Sequence, residues 1–266
     1  MQARTYLFVP GDRTDRFAKA LATGADRVII DLEDAVKPAA KAAARAGLAG
    51  VSLDWSRVVL RVNDAASPWW AEDWAAVAAL PVVAVLVPKA EDPAVIARAL
   101  ADLGRPVEVI PQIETARGLE ELDGLLRAPG VRRAAFGHLD FAVDLGAAPD
   151  WEAMLLARAT LVLRSRLAGR VAPIDSVTPD IADEAALRRE AEAARRLGFG
   201  GKLLIHPRQV APAFAAFGPS EAEVDWARRV LAALEAEPGG AVSVDGKMID
   251  KPVADAARRV LALAKA

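Results

Sequence analysis

The sequence predicts a TIM-like (β/α)8 barrel with a C-terminal hairpin and helix extension, and three observations lead to this fold class. Eight short apolar segments alternate with segments that have the apolar spacing of amphipathic helices. The length of 266 residues suits an α/β barrel, which commonly forms one domain of about 250 residues. Polar side chains follow all but the first apolar segment, and a barrel would gather them at the carboxyl ends of its strands.

The predicted strands are separated by turn residues and helix signals. Pro10-Gly11 stops the first strand, Gly24 ends the first helix and Pro38 starts the second. The predicted strands cover residues 6–9, 28–30, 58–60, 82–87, 107–110, 131–136, 171–174 and 202–205. The predicted helices cover residues 13–22, 38–50, 70–79, 92–103, 117–127, 151–167, 182–197, 208–217 and 220–237. A doubly wound open sheet is the alternative, but the sequence has neither G-x-G-x-x-G after the first strand nor a Walker A loop.

The composition excludes several classes of function. A net charge of −2 gives no reason to expect a nucleic-acid or membrane-surface partner. The chain has no cysteine, which excludes disulfides and thiolate chemistry, and its two histidines are too few for a multi-histidine zinc site. The longest charge-free run, residues 74–88, is shorter than the ~20 residues of a membrane span. We therefore expect a soluble cytoplasmic protein.

Two carboxylates stand at the ends of adjacent predicted strands. Glu114 follows the fifth strand and Asp140 follows the sixth, with a helical segment between them. A strand–helix–strand unit holds its strands parallel, so both carboxylates would lie at the same edge of the sheet. A hard divalent ion such as Mg²⁺ would remove their mutual repulsion and prefers oxygen ligands. The hypothesis is that Glu114 and Asp140 hold a metal, and the alternative is two separate capping or ion-paired carboxylates.

Two cationic residues and one candidate general base follow other predicted strands. Arg61 could bind a substrate carboxylate, or could pair with Asp31 or Glu33 on the neighbouring strand end. Lys89 could form a Schiff base, although a structural ion pair with Glu33 or Glu91 is the favoured interpretation. His206 could be a general base or a core histidine that orients the last strand.

The C-terminal segment departs from the barrel pattern. We expect a barrel domain over residues 1–237 and an extension over residues 238–266. Asp245-Gly246 is a turn signal between two short apolar runs, and a last helix is predicted over residues 253–265. This extension should pack on the barrel or on a neighbouring subunit. Asp250 lies just after the predicted hairpin and is a candidate catalytic residue.

Seven ordered motifs cover essentially the whole chain. They are LFVPG at 7–11, DLEDAV at 31–36, RVN at 61–63, PK at 88–89, QIET at 112–115, GHLDF at 137–141 with DLG at 144–146, and GKMIDKP at 246–252. This set resembles the citrate lyase β-subunit-like proteins of the HpcH/HpaI aldolase superfamily. The resemblance implies a TIM-like barrel, Mg²⁺ held by Glu114 and Asp140, a substrate carboxylate held by Arg61, and a trimer or hexamer. It also implies that Asp250 reaches the site of a neighbouring subunit. His138 departs from the small or acidic residues expected at its position.

The expected function is Mg²⁺-dependent cleavage or formation of a 3-hydroxyacyl thioester of citryl, malyl or citramalyl type. The products of cleavage would be an acetyl thioester and a 2-keto acid. We expect Arg61, Glu114 and Asp250 to be catalytic, and Arg61, Glu114, Lys19 and His206 to bind substrate. The expected partner is a thioester of coenzyme A or of an acyl carrier. The alternatives are a class II pyruvate aldolase that acts on free aldehydes, and a partner-dependent citrate lyase β subunit that acts only on a carrier-bound thioester.

Overall fold

Eight parallel strands close into a barrel in the order β1 to β8, which confirms the predicted fold class. The structure is a computed structural model, and it describes residues 3–236 and 242–264. The barrel strands are β1 Thr5–Pro10, β2 Arg27–Asp31, β3 Val58–Arg61, β4 Ala84–Val87, β5 Glu108–Ile113, β6 Ala135–Phe136, β7 Ile174–Asp175 and β8 Gly201–Leu204. The sheet closes where β1 pairs with β8, with Thr5 opposite Lys202.

Helices connect the strands in sequence, as a β/α barrel requires. They are α1 Thr14–Leu21, α2 Lys41–Leu48, α3 Trp70–Ala79, α4 Pro93–Leu103, α5 Ala116–Glu120, α6 Leu122–Arg127, α7 His138–Leu145, α8 Leu155–Leu167, α9 Glu184–Leu197 and α10 Val210–Ala216. Inward-facing side chains from all eight strands fill the barrel interior, including Tyr6, Ile29, Leu86, Ile110 and Leu203. The barrel therefore has a packed core and not a pore, and its polar chemistry is confined to the strand ends.

Several details differ from the sequence-based prediction. The sixth strand is only Ala135–Phe136, and Val131 forms an isolated bridge with Val109 before it. The seventh strand is Ile174–Asp175, which shares one residue with the predicted segment 171–174. The helical segment between β5 and β6 is two helices that meet at Glu121. The structure also contains α7, which the prediction missed because Gly137 and the buried His138 and Phe141 were read as an extended strand end.

The chain divides into two compact units, Gln2–Ala213 and Phe214–Ala266. The second unit contains α11 Glu221–Ala236, the antiparallel strands β9 Val242–Val244 and β10 Lys247–Ile249, and α12 Lys251–Ala264. Helix α11, which the sequence analysis placed with the barrel, therefore belongs to the second unit. The division into a barrel domain 1–237 and an extension 238–266 stays a prediction.

The second unit has a small core of its own. Ala227, Val230, Ile249 and Ala257 are its buried members. The predicted hairpin turn is confirmed, with Asp245 and Gly246 both at positive φ, as a tight two-residue turn requires. No helix among the described residues is both long and apolar enough to cross a membrane.

Candidate active site

A cavity of about 400 Å³ lies at the carboxyl ends of the barrel strands. Arg61, Glu114 and Asp140 all line it, so the structure brings together the three candidates that the sequence placed at separate strand ends. Glu114 directly follows β5 and is buried, whereas Asp140 lies in the first turn of α7 and is half-buried. The prediction that both carboxylates share one edge of the sheet is confirmed.

Arg61 is held in the cavity wall by carboxylates of the neighbouring strand end. The register of β2 and β3 places Asp31 beside Arg61. The guanidinium donates from Nε and Nη2 to the two Asp31 oxygens, at 2.7 Å each, and its Nη1 lies 2.8 Å from Glu33 Oε2. Its Cζ atom also lies over the Phe8 ring, 4.9 Å from the ring centre. The predicted ion pairs are confirmed, and two of the five guanidinium N–H groups are not taken by these partners.

Glu33 connects Arg61 to Lys89. Lys89 Nζ donates to Glu33 Oε1 at 2.8 Å, which confirms the predicted structural pairing. Burial raises the pKa of Glu33, although the charge of Arg61 opposes that rise. Burial alone would lower the pKa of Lys89, but the hydrogen bond and charge of Glu33 outweigh it and raise this pKa. A lysine held protonated in this way is poorly suited to Schiff-base chemistry, which needs the free amine.

Glu114 is a buried carboxylate, and its surroundings disfavour its charged form. Burial, and next the negative charge of Glu33, raise the pKa of Glu114 to about 8, against the opposing effect of Arg61. One oxygen, Oε2, accepts the backbone N–H of Lys89 at 2.9 Å. A bound cation would supply the compensating charge that this buried group lacks.

Two further features fit a ligand beside Glu114. The side-chain oxygen of Gln112 is buried in the cavity wall and has no hydrogen-bond partner among the residues that the structure describes. Gly137 lies so close that a Cβ atom there would be 2.5 Å from Glu114 Cγ and 2.9 Å from Gln112 Nε2. Glycine therefore keeps open the space into which both side chains point.

The charges of the site suit a divalent cation. In the described residues, no group of three or more His, Cys, Asp or Glu side chains is arranged to hold a metal by itself. Mg²⁺ does not need one, because it is usually held by one or two carboxylates together with water and substrate oxygens. When all four carboxylates of the site are ionised, they exceed its two cations by two negative charges, before the solvated Asp34 is counted. These groups are Asp31, Glu33, Glu114 and Asp140 with Arg61 and Lys89.

The remaining sequence candidates lie elsewhere. Lys19 is exposed in the last turn of α1, and His206 caps the short turn that follows β8, where its Nδ1 accepts the N–H of Arg208 at 3.2 Å. Neither is among the described residues that line the cavity. Asp250 belongs to the second unit, where it is exposed and its Oδ1 accepts the N–H of Val253 at the start of α12. The roles of these three residues stay predictions.

Sequence reasoning missed one wall of the cavity. Ser176 lines it, and its Oγ accepts the backbone N–H of His138 at 3.0 Å and lies 2.6 Å from His138 Nδ1. Burial, and next the nearby Arg158, lower the pKa of His138 to about 4, so this imidazole is neutral near pH 7. The signal that could have found Ser176 is its position directly after Asp175, at the end of the seventh strand.

A buried ion cluster lies beneath that wall. Asp175 accepts from Arg158 Nε at 2.9 Å and from Lys202 Nζ at 3.0 Å, and Lys202 also donates to the carbonyl of Ser176 at 2.8 Å. Burial would raise the pKa of Asp175, but the two cations outweigh it and lower this pKa. The cluster fixes the ends of β7 and β8 and so positions Ser176.

Residues 4–207 match the HpcH/HpaI aldolase/citrate lyase family. The chain is 38% identical to a citrate lyase subunit beta-like protein of Deinococcus radiodurans, covering 97% of this chain and 96% of that protein. It is 35% identical to a (3S)-malyl-CoA thioesterase of Cereibacter sphaeroides, covering 99% and 95%. The crystal structure of CitE from Mycobacterium tuberculosis, in complex with magnesium, acetoacetate and coenzyme A, superposes with a TM-score of 0.90 at 36% identity, over 99% and 98% of the two chains. The chain therefore belongs to the HpcH/HpaI aldolase/citrate lyase family.

Proposed function

We propose that this protein is a Mg²⁺-dependent carbon–carbon lyase that cleaves or forms a 3-hydroxyacyl-CoA thioester of malyl, citramalyl or citryl type. The observation that carries the proposal is the common cavity of Glu114, Asp140 and Arg61 at the carboxyl ends of the strands. Two hard carboxylate ligands beside a guanidinium suit a substrate that carries both a carboxylate and a hydroxyl. The CitE relative that binds magnesium, acetoacetate and coenzyme A supports the same ligand class here.

The metal would be held by Glu114 and Asp140, with water and substrate oxygens completing its shell. When bound, it supplies a Lewis acid that stabilises negative charge on the substrate oxygen during cleavage. Gln112 is placed to accept a hydrogen bond from the substrate hydroxyl, because its own buried oxygen lacks a partner among the described residues. The cavity volume lies in the usual range of roughly 300–1,000 Å³ for small-molecule sites.

Arg61 would bind the substrate carboxylate with the N–H groups that Asp31 and Glu33 leave free. Because the guanidinium is already fixed by those ion pairs and by Phe8, little of its conformational freedom is lost when substrate binds. This contact would orient the hydroxyl-bearing carbon toward the carboxylate pair. A rigid clamp of this kind raises the rate by positioning the reacting bond.

Cleavage breaks the bond between the hydroxyl-bearing carbon and the carbon next to the thioester carbonyl. The hydroxyl passes its proton to water and becomes the carbonyl of the 2-keto acid, while the bonding electrons pass to the acetyl-thioester carbon, which then takes up a proton. We assign Asp250 of a neighbouring subunit as the donor of that proton. Its exposure at the start of α12 leaves the carboxyl group accessible to another chain.

The test is product analysis with malyl-CoA, citramalyl-CoA and citryl-CoA. The expected result is acetyl-CoA together with a 2-keto acid from one of the three, with loss of activity in Glu114→Gln and in Asp250→Asn. Asp245→Asn is the matched control, because Asp245 is an exposed carboxylate in the turn of the hairpin that precedes Asp250, and it forms an ion pair with the exposed Arg229. Free CoA with an intact hydroxy acid would instead indicate a thioesterase, the activity named for the Cereibacter sphaeroides relative. Activity only on free aldehydes, or only on a carrier-bound thioester, would favour the aldolase or the partner-dependent alternative.

A further inference from the structure

Lys89 has an unusual backbone conformation for its residue type. Within residues 3–236 and 242–264, only Lys89 and Asp245 are non-glycine residues with positive φ. Asp245 lies in a hairpin turn, where this conformation is common, whereas Lys89 follows β4 at the mouth of the barrel with φ of 44°. Left-handed backbone is unfavourable for a lysine, and such outliers persist where the surrounding contacts determine them.

The contacts of Lys89 explain why this conformation is retained. Its backbone N–H points to Glu114 Oε2 at 2.9 Å, and its ammonium group points to Glu33 Oε1 at 2.8 Å. One residue therefore touches a carboxylate of the proposed metal pair with its main chain and the partner of Arg61 with its side chain.

The ammonium group of Lys89 shares the carboxylate of Glu33 with Arg61. Glu33 has two oxygens, of which one faces Lys89 and the other faces Arg61 Nη1 at 2.8 Å. Without Lys89, the full charge of Glu33 would fall on Arg61 and compete with a substrate carboxylate for it. The same loss would make the region around Glu114 more negative by one charge.

We propose that Lys89 is a positioning residue that acts in opposite directions on the two ligands of the site. It raises the affinity of Arg61 for a carboxylate ligand, and it lowers the affinity of Glu114 for the cation. This inference rests on the proposed function, since it assumes a divalent cation and a carboxylate substrate in this cavity. Its consequence is unusual, because removing the ammonium group should tighten binding of one ligand while it weakens binding of the other.

Lys89→Met isolates this effect. Methionine keeps the backbone N–H to Glu114 and a long unbranched side chain, and it removes the charge together with the hydrogen bond to Glu33. In calorimetric titrations, we expect Mg²⁺ to bind on the order of tenfold more tightly, and pyruvate at saturating Mg²⁺ to bind on the order of tenfold more weakly, than in the wild type. Lys89→Arg, which keeps the charge, should return both dissociation constants toward the wild-type values.

The possible outcomes distinguish an electrostatic effect of Lys89 from a general disruption of the site. Weaker binding of both ligands in Lys89→Met, or unchanged binding of both, would overturn the proposal. If Lys89→Met does not fold, Glu33→Gln provides the reverse test, because it removes a negative charge that pairs with Arg61. In that variant, Mg²⁺ should bind more weakly and pyruvate should bind more tightly. Any other pair of changes would contradict the proposal. Failure of the wild type to bind either ligand would instead contradict the proposed function itself.

Discussion

Substitution of Gly137 by alanine should disable the site without unfolding the barrel. The φ of Gly137 is −116°, which alanine adopts freely, so backbone strain is not the reason. The added methyl carbon would lie 2.5 Å from Glu114 Cγ and 2.9 Å from Gln112 Nε2, so Glu114 must move by about 1 Å to reach an ordinary contact distance. Metal–ligand distances tolerate only about 0.2 Å. A misplacement of about 1 Å costs on the order of 100-fold in rate, or about 2.7 kcal/mol of transition-state stabilisation.

The assay for Gly137→Ala is keto-acid release from the preferred acyl-CoA, together with Mg²⁺ titration of the same preparation. We expect kcat/KM to fall by about 100-fold, with weaker Mg²⁺ binding and a folded protein by thermal melting. Gly50→Ala is the matched control, because a Cβ atom there would meet its nearest neighbour at 3.8 Å. Wild-type kcat/KM and Mg²⁺ affinity in Gly137→Ala would refute the reasoning, since the methyl group would then have been accommodated without moving Glu114.

Four further predictions concern protonation and stability. Because the pKa of Glu114 is raised from 4.5 to about 8, Mg²⁺ binding at pH 7 should release close to one proton. Calorimetry in buffers of different ionisation enthalpy measures this release. Glu114→Gln should abolish it. The raised pKa also means that the metal-free folded state binds more protons than the unfolded state between pH 4.5 and about 8. The free energy of unfolding should therefore fall as pH rises through that window. A urea midpoint that rises with pH would contradict this. Asp175→Asn removes the buried carboxylate that Arg158 and Lys202 share, and the partly exposed Glu190, 3.6 Å from Lys202, offsets part of the charge that remains. The free energy of unfolding should drop by roughly 3 kcal/mol, against almost no change in the exposed control Asp102→Asn. Ser220→Ala should cost about 1 kcal/mol in thermal or urea unfolding, because Ser220 and Glu223 bond each other's backbone N–H groups at the start of α11; an unchanged midpoint would show that this cap does not contribute.

The sequence was sufficient for the barrel and for the common position of Glu114 and Asp140 at its mouth. The apolar runs and the carboxylates that follow them determine which side chains reach the mouth, because parallel strands end at a common edge. The same logic gave the pairing of Arg61 with Asp31, since these residues occupy equivalent positions at the ends of adjacent strands. The capping box of Ser220 and Glu223 could also be recognised from spacing alone.

Other features depend on contacts that spacing does not encode. The place of Ser176 in the cavity wall depends on the buried cluster of Arg158, Asp175 and Lys202, which joins residues far apart in the chain. Helix α7 begins directly after Gly137, and its buried residues resemble a continuing strand when they are read as a short apolar run. The positive φ of Lys89 had no sequence signal, because lysine has no preference for that conformation.

The most direct test of the central claim is the Mg²⁺ dependence of keto-acid release by the wild type, Glu114→Gln and Asp140→Asn. The account predicts acetyl-CoA and a 2-keto acid from the wild type with Mg²⁺, no turnover with excess EDTA, and at least a 100-fold loss in each variant while both remain folded. Turnover that persists in EDTA, or that survives both substitutions, would contradict a metal centre at Glu114 and Asp140.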